Sequence, residues 1–416
     1  MRKIVTLAFL ATIQLLFSQV QNEVAPPFNI KTVSFVQNNQ NVVPIFPLGT
    51  GFQIQFDDLY GNEADYYYEI VHCDYNWIPT AIPKNEYLEG FDNQRIQNYS
   101  NSFNTLQIYS HYTLAIPNQY TLQLKLSGNY IITVLNDAKE VVFTRKFILY
   151  EESVKVPMQI KRARTIDNLN YKQNIEFSIN STTLNFQNPL KNVKVAILQN
   201  GKFNTAIKNI VPQYTIGNEL IYKYDKETQF WAGNEFLYFE NKDIRTSGNN
   251  VAHVDANTAI YGSHLFTNNA RATFPYSFSQ DVNGNFLVKN TNASDNEIEA
   301  DYAWVYFSLS APSFRLDKDI YITGMFNNYS MSDENKMDYN EKKGIYEKAL
   351  LIKQGFTNFE YTIADKKGTI DLEHAIDGNF YQTENNYTIL VYYKESSGRY
   401  DQVIGKTELS SLNIVN

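Results

Sequence analysis

The chain has 416 residues, a formal net charge of −8 and one cysteine. Its length suffices to bury several cores without internal disulfides, and one cysteine allows none. The acidic balance excludes the broad basic surface on which a nucleic-acid binder depends, so no nucleic-acid partner is expected.

In chain order, Met1-Arg2-Lys3 leads an apolar run from Ile4 to Phe17, then Ser18-Gln19. A basic head followed by an apolar stretch too short to span a bilayer has the form of a secretory signal peptide. Residues 1–18 are expected to be cleaved, with no transmembrane segment in the mature chain. Cys73 lies far from that point, so no lipid attachment at the cleavage site is expected.

Nearly every segment that follows alternates apolar and polar residues with the period of a half-buried strand. Ile30 to Val36 and Phe52 to Phe56 alternate, and Asp57-Asp58 reads as a turn cap before Tyr66-Tyr67-Tyr68. Three successive tyrosines on a strand place at least one ring away from the core. Trp77 to Tyr109 is irregular, with Pro79, Pro83 and Gly90, and reads as a long surface excursion of the kind that is usually functional. Leu122, Leu124 and Leu126 alternate with Thr121, Gln123 and Lys125, giving a strand with its leucines inward. Gly128 two residues before Tyr130 resembles the tyrosine corner of immunoglobulin-type sandwiches. Val141 to Tyr150 closes this first unit, and Glu151 to Pro157 reads as a linker.

Beyond it, Ile175, Phe177 and Ile179 share one face, as do Val193, Val195 and Ile197, and Asn200-Gly201 forms a hairpin-type turn. The stretch from Asn241 to Glu299 is rich in Asn, Ser and Gly, with weak strands at Phe274–Phe278 and Phe286–Lys289, before Tyr302 to Leu309 restores a strong one. From Ala311, strands recur every 8–12 residues, the spacing of a sandwich. No helix of convincing period follows the apolar leader. The fold class expected is all-β: tandem immunoglobulin-like β-sandwiches after a cleaved signal peptide. The units expected are 1–18 (signal), 19–152, 153–310 (one domain or two) and 311–416.

Catalytic patterns are weak. His72 and Cys73 are adjacent on a strand and point to opposite faces, which denies them nucleophile–base geometry. His72, His111, His253, His264 and His374 show no metal-ligand spacing. Asp57, Asp58 and Asp74 offer carboxylates without a visible opposed partner. No nucleophile elbow, phosphate loop or dinucleotide fingerprint occurs. No catalytic, cofactor or metal residue is expected, and no enzyme activity.

Several ordered residues carry a resemblance. His72-Cys73-Asp74-x-x-Trp77, Glu86-Tyr87-Leu88-x-Gly90-Phe91, Ile96-x-x-Tyr99-Ser100-x-Ser102-Phe103-Asn104-Thr105 and Tyr109-x-His111-Tyr112-x-Leu114-x-x-Pro117 together resemble the plug protein family of the type IX secretion system. The resemblance implies a periplasmic, non-enzymatic protein seated on the periplasmic mouth of an outer-membrane β-barrel translocon of the SprA/Sov type, closing its lumen when no cargo passes. The residues that touch that partner are not identified by it. Separately, Tyr321-x-x-Gly324-x-Phe326-Asn327-x-Tyr329, Met337, Gly344-x-Tyr346-Glu347 and Gly355-x-x-x-Phe359-x-Tyr361 resemble an early-set immunoglobulin-like domain of the glycogen-binding type. It departs from that pattern at Tyr329, where Trp is usual, and at Met325, where an acid is usual. Two further readings stand beside the plug: a periplasmic carbohydrate-binding protein, and a hydrolase whose site assembles only in space.

Overall fold

A computed structural model of the protein describes residues 22–182, 184–312, 318–412 and 414. The expected signal peptide lies outside the described residues. The fold is all-β, arranged as packed sheets around three main hydrophobic cores.

The first core lies between two five-stranded sheets. One runs in the order Gln40–Asn41, Ile30–Gln37, Phe52–Asp58, Ser110–Ile116, Tyr99–Asn101, and the other Ile45–Pro47, Val141–Tyr150, Gly128–Leu135, Tyr67–Cys73, Gln94–Arg95. The alternation read in the sequence buries Phe35, Phe52, Phe56, Phe143 and Phe147 between them. Phe46 stacks on Phe52 with ring centroids 4.4 Å apart, and Phe56 on Tyr112 at 5.0 Å. Each such ring contributes about 1.5–3 kcal/mol by leaving water. Tyr66 and Tyr68 point into this core, and Tyr67 turns out beneath Lys139, whose Nζ lies 3.1 Å from the ring centroid. Tyr130 donates its hydroxyl to the Leu126 carbonyl at 2.8 Å, the backward bond of a tyrosine corner.

Two local expectations fail here. Leu122 is exposed and Thr121 buried, because the Thr121–Leu124 strand shifts register against Leu88–Gly90 and Thr121 turns in to the Tyr68 hydroxyl at 2.8 Å. Asp57 is no turn residue. It ends a buried strand, and only Asp58 caps the turn, accepting Tyr60 N at 3.1 Å.

A second core forms between a sheet containing Met158–Arg162, Lys172–Asn180, Glu219–Tyr222 and Tyr214–Ile216 and one ordered Ile207–Lys208, Val193–Gln199, Asn386–Tyr393, Gln402–Ser410. A third lies between sheets built on Gly355–Ala364 and on Tyr302–Ser310 with Ile345–Lys353. The expected division at 310/311 thus runs between paired strands, since Tyr302–Ser310 pairs with Ile345–Lys353. Asn386–Tyr393, from the same expected unit, pairs instead with Val193–Gln199. Local periodicity announces a strand but not its partner. The 151–157 segment is also tied down, with Glu151 N on Val403 O at 2.7 Å and Ser153 N on Ile404 O at 2.8 Å. Phe274 to Phe278 forms no strand, whereas Phe286–Val288 does.

Candidate functional site

Part of the His72–Pro117 pattern gathers at two joints, where the first core meets the second and the third. At the first joint, the alternation of the Tyr67–Cys73 strand sends His72 and Cys73 to opposite sides. Both are buried. Cys73 joins Tyr75, Trp77, Leu198, Leu390, Tyr392 and Val403 in a cluster shared with the second core's outer sheet. Asp74 accepts Asn76 N at 2.8 Å and Ile78 N at 2.9 Å, folding the turn that turns Tyr75 and Trp77 inward. Tyr75 donates to Val195 O at 2.6 Å and accepts Asn209 N at 3.1 Å, while its own N–H reaches Asp401 Oδ2 at 3.1 Å. Tyr392 donates back to Asn129 Oδ1 at 2.8 Å. Burial pushes the Cys73 thiol up to about 12, so it is a core group and not a nucleophile.

His72 packs on the opposite side against Tyr87, Tyr130 and Tyr400, with Nδ1 2.9 Å from Thr80 Oγ1. Gly128, at φ +148°, is required here: a Cβ would overlap His72 Nε2. Burial holds the imidazole down at about 4, and so neutral at physiological pH.

The second joint is polar. Asp57 Oδ1 lies 2.6 Å from His111 Nδ1, and its Oδ2 accepts Lys353 Nζ at 2.7 Å and the Tyr302 hydroxyl at 2.6 Å. Lys353 also donates to Glu297 O at 2.7 Å, and Tyr109 donates to Ala300 O at 2.8 Å. Asp301 accepts Leu106 N at 2.6 Å and Gln107 N at 3.1 Å, fixing the end of the long excursion. Burial opposes charge on Asp57, but Lys353 and His111 outweigh it and hold the carboxyl below its ordinary value. Burial also lowers Lys353, against the pull of Asp57.

An aspartate on an imidazole is half of a hydrolytic triad. Here the far nitrogen, His111 Nε2, meets Thr113 Oγ1 at 3.4 Å and the Glu297 carboxylate at 3.6 Å, and the ring is buried. The cluster is built to hold two bodies together. The remaining histidines do not join it: His253 and His264 stack at 4.1 Å, and His374 sits on Asp371. Among the described residues no His, Cys, Asp and Glu converge as a metal site would require.

Other pattern residues are internal too. Tyr87 and Ile96 are buried, Tyr99 donates to Glu63 at 2.9 Å, and Tyr112 donates to Ala64 O at 2.7 Å. Gly90, at φ +91°, passes so close to the Tyr120 carbonyl that no Cβ fits. Phe91 and Phe103 differ, at 73 % and 66 % exposed. Tyr60, Leu106 and Ile108 lie beside Phe103 in sequence or across the Gly61–Ile108 contact, and are also exposed. Sequence reasoning named none of these as contact residues; the signal available was apolar side chains inside an irregular, Asn-rich loop.

Tyr329 is not an open sugar platform. Lys202 Nζ covers its ring at 4.9 Å from the centroid, and its hydroxyl abuts Gly284.

A tandem all-β protein whose inner polar residues serve as inter-unit locks has the build of a scaffold or binding body. The family described as "Type 9 secretion system plug protein 1st domain" matches residues 30–151. A crystal structure of a hypothetical protein from Parabacteroides merdae is similar over 94 % of this chain and 100 % of its own, at 30 % identity and TM-score 0.89. No curated protein matches the chain. Residues 30–151 thus carry the first domain of the type IX secretion system plug protein family.

Proposed function

We propose that this protein is a periplasmic plug: a non-enzymatic stopper that binds the periplasmic end of the SprA/Sov-type outer-membrane β-barrel and occludes its lumen between cargoes. A stopper must be broad and stiff, because a body that flexes at its joints would leak. The observation that carries the reading is that Cys73, Trp77, Tyr109 and His111 of the family's patterned residues are spent on buried joints between cores. Among the described residues no helix is long and apolar enough to cross a membrane, which fits a peripheral seat. We place the contact on the exposed loop face of Tyr60, Phe103, Leu106 and Ile108, since desolvated aromatic and aliphatic anchors dominate interface energetics. An interface on the order of 1,000–2,000 Å² would hold the plug specifically while leaving it releasable.

We also propose three folding units: residues 22–152, a second made of 153–232 with 386–412, and a third, 235–380, inserted into the second. The three separate cores support this division.

The test is capture of the tagged protein from detergent-solubilised outer membrane, paired with permeability of a deletion strain to large antibiotics. The barrel translocon should co-purify, and deletion should raise permeability. Unchanged permeability with no translocon in the eluate would refute the plug. Binding to a glycan array lost on Tyr329→Ala would favour carbohydrate recognition instead.

A further inference from the structure

Arg145 is buried in the first sandwich, on the same strand face as Phe143 and Phe147, with its guanidinium 5.4 Å from the Phe143 ring centroid. Among the described residues it makes one hydrogen bond, from Nη1 to the Thr144 carbonyl at 2.9 Å. A guanidinium has five N–H donors and is always charged, so most of this one's donors are left to whatever enters beside it. Among the described residues no carboxylate lies within ion-pair distance of it. Glu23 acts on it from further away, but that carboxylate already accepts Lys146 N at 2.7 Å and Asn328 Nδ2 at 2.9 Å.

Arg145 lines a cavity of about 340 Å³ between the first and third cores. This is the lower end of the roughly 300–1,000 Å³ that small-molecule sites occupy. Its lining is mixed: Ile30, Val33, Phe286, Phe326, Leu350 and Ile352 form an apolar side, and Thr32, Asn327, Ser330, Ser332 and Asn335 a polar one. Two other cations line it, and each has its own acid: Lys31 pairs with Glu334, and Lys353 with Asp57. Asp333 and Glu334 also line it and are exposed, whereas Arg145 is buried. The cavity therefore has an apolar side and, at Arg145, a buried positive charge with no acid in ion-pair contact.

We propose that this cavity binds a small amphiphilic anion, an apolar chain carrying one carboxylate or phosphate head, with Arg145 receiving the head. A planar fork matches both oxyanions, and an apolar wall strengthens the pairing by excluding water. Burial lowers the guanidinium's affinity for its proton, against the pull of Glu23. The inference is independent of the plug reading.

The experiment is titration calorimetry and thermal unfolding of the mature chain with octanoate, octyl phosphate, octanol, octylamine and inorganic phosphate. Octanoate or octyl phosphate should bind at one site and raise Tm, and the tighter of the two identifies the head. Octanol, octylamine and inorganic phosphate should bind at least tenfold more weakly. Arg145→Met should abolish anion binding and, without ligand, should raise Tm, because it removes a buried unpaired charge. Ser330→Phe, on the cavity wall, should block binding with Arg145 intact. Octanol binding as well as octanoate, anion binding that survives Arg145→Met or Ser330→Phe, or a lowered Tm in unliganded Arg145→Met would each overturn the proposal.

Discussion

Lys353 Nζ and Asp57 Oδ2 meet at 2.7 Å with both side chains excluded from solvent, joining the first core to the third across 296 positions of sequence. Such a pair contributes little net stability over an apolar substitute, yet breaking it from one side is costly. Asp57→Asn or Lys353→Met alone is expected to destabilise by about 3–5 kcal/mol, through the uncompensated charge left behind. The double variant should lose much less than the sum. Urea denaturation of the four proteins decides it: additive losses would mean that the two groups do not act on one another.

Cys73 reports on the other joint. Packed among Tyr75, Trp77 and Leu390, with its thiol pushed up to about 12, it should resist aromatic disulfide reagents in the native protein and react at once in urea. Tyr75→Phe removes the 2.6 Å bond to Val195 and should cost about 1–2 kcal/mol while quickening Cys73 labelling under native conditions. Rapid labelling of the unmodified native protein would show that this joint opens freely, contrary to a stiff body.

Stability should depend on pH through two buried groups, Glu235 and His72, and the half-buried Asp281. Glu235, facing Tyr276, Asp281 and Glu384, is pushed up to about 7 by burial, and Asp281 to about 6 for the same reason. For both, the folded state holds a proton that the unfolded chain has released, so stability falls as pH rises from about 4 toward 7. His72 acts in the opposite sense. Its folded value is depressed to about 4, the unfolded chain binds the proton first, and stability rises with pH up to about 6.5. Each group contributes on the order of 3 kcal/mol, so these three together should lower stability by about 3 kcal/mol from pH 4.5 to 7. Glu235→Gln should flatten that slope, and His72→Gln should roughly double it. Denaturant midpoints at four pH values read both, and a slope unmoved by either change would remove the assignment.

Phe103→Asp with Ile108→Asp should weaken translocon capture at least tenfold while leaving the melting temperature within a few degrees, since both side chains face solvent. Capture that survives the double change would put the contact on another face.

Much of the fold was legible. Ile175, Phe177 and Ile179, and Val193, Val195 and Ile197, lie buried as their alternation requires. Asn200 and Gly201 both take positive φ, as a hairpin turn needs. The same alternation failed at Leu122, where a register shift overrode it, because a strand's inward face is set by its neighbour as well as by its own pattern. The joints were less legible. His72, Cys73, Tyr109 and His111 were visible as a pattern, but nothing local said that Asp57 would meet Lys353 or that Tyr75 would meet Val195.

The amino-acid order alone determined that this is a chain of half-buried strands, since a period of two leaves a strand one apolar face and commits it to a sheet. It also carried the family, through polar and aromatic residues whose order no strand pattern demands. Only the tertiary structure decided which strands pair, that Asn386–Tyr393 returns to Val193–Gln199, and that Arg145 is left without an acid. Those outcomes depend on contacts between distant segments, whose free energy comes from burial and charge pairing in the assembled whole.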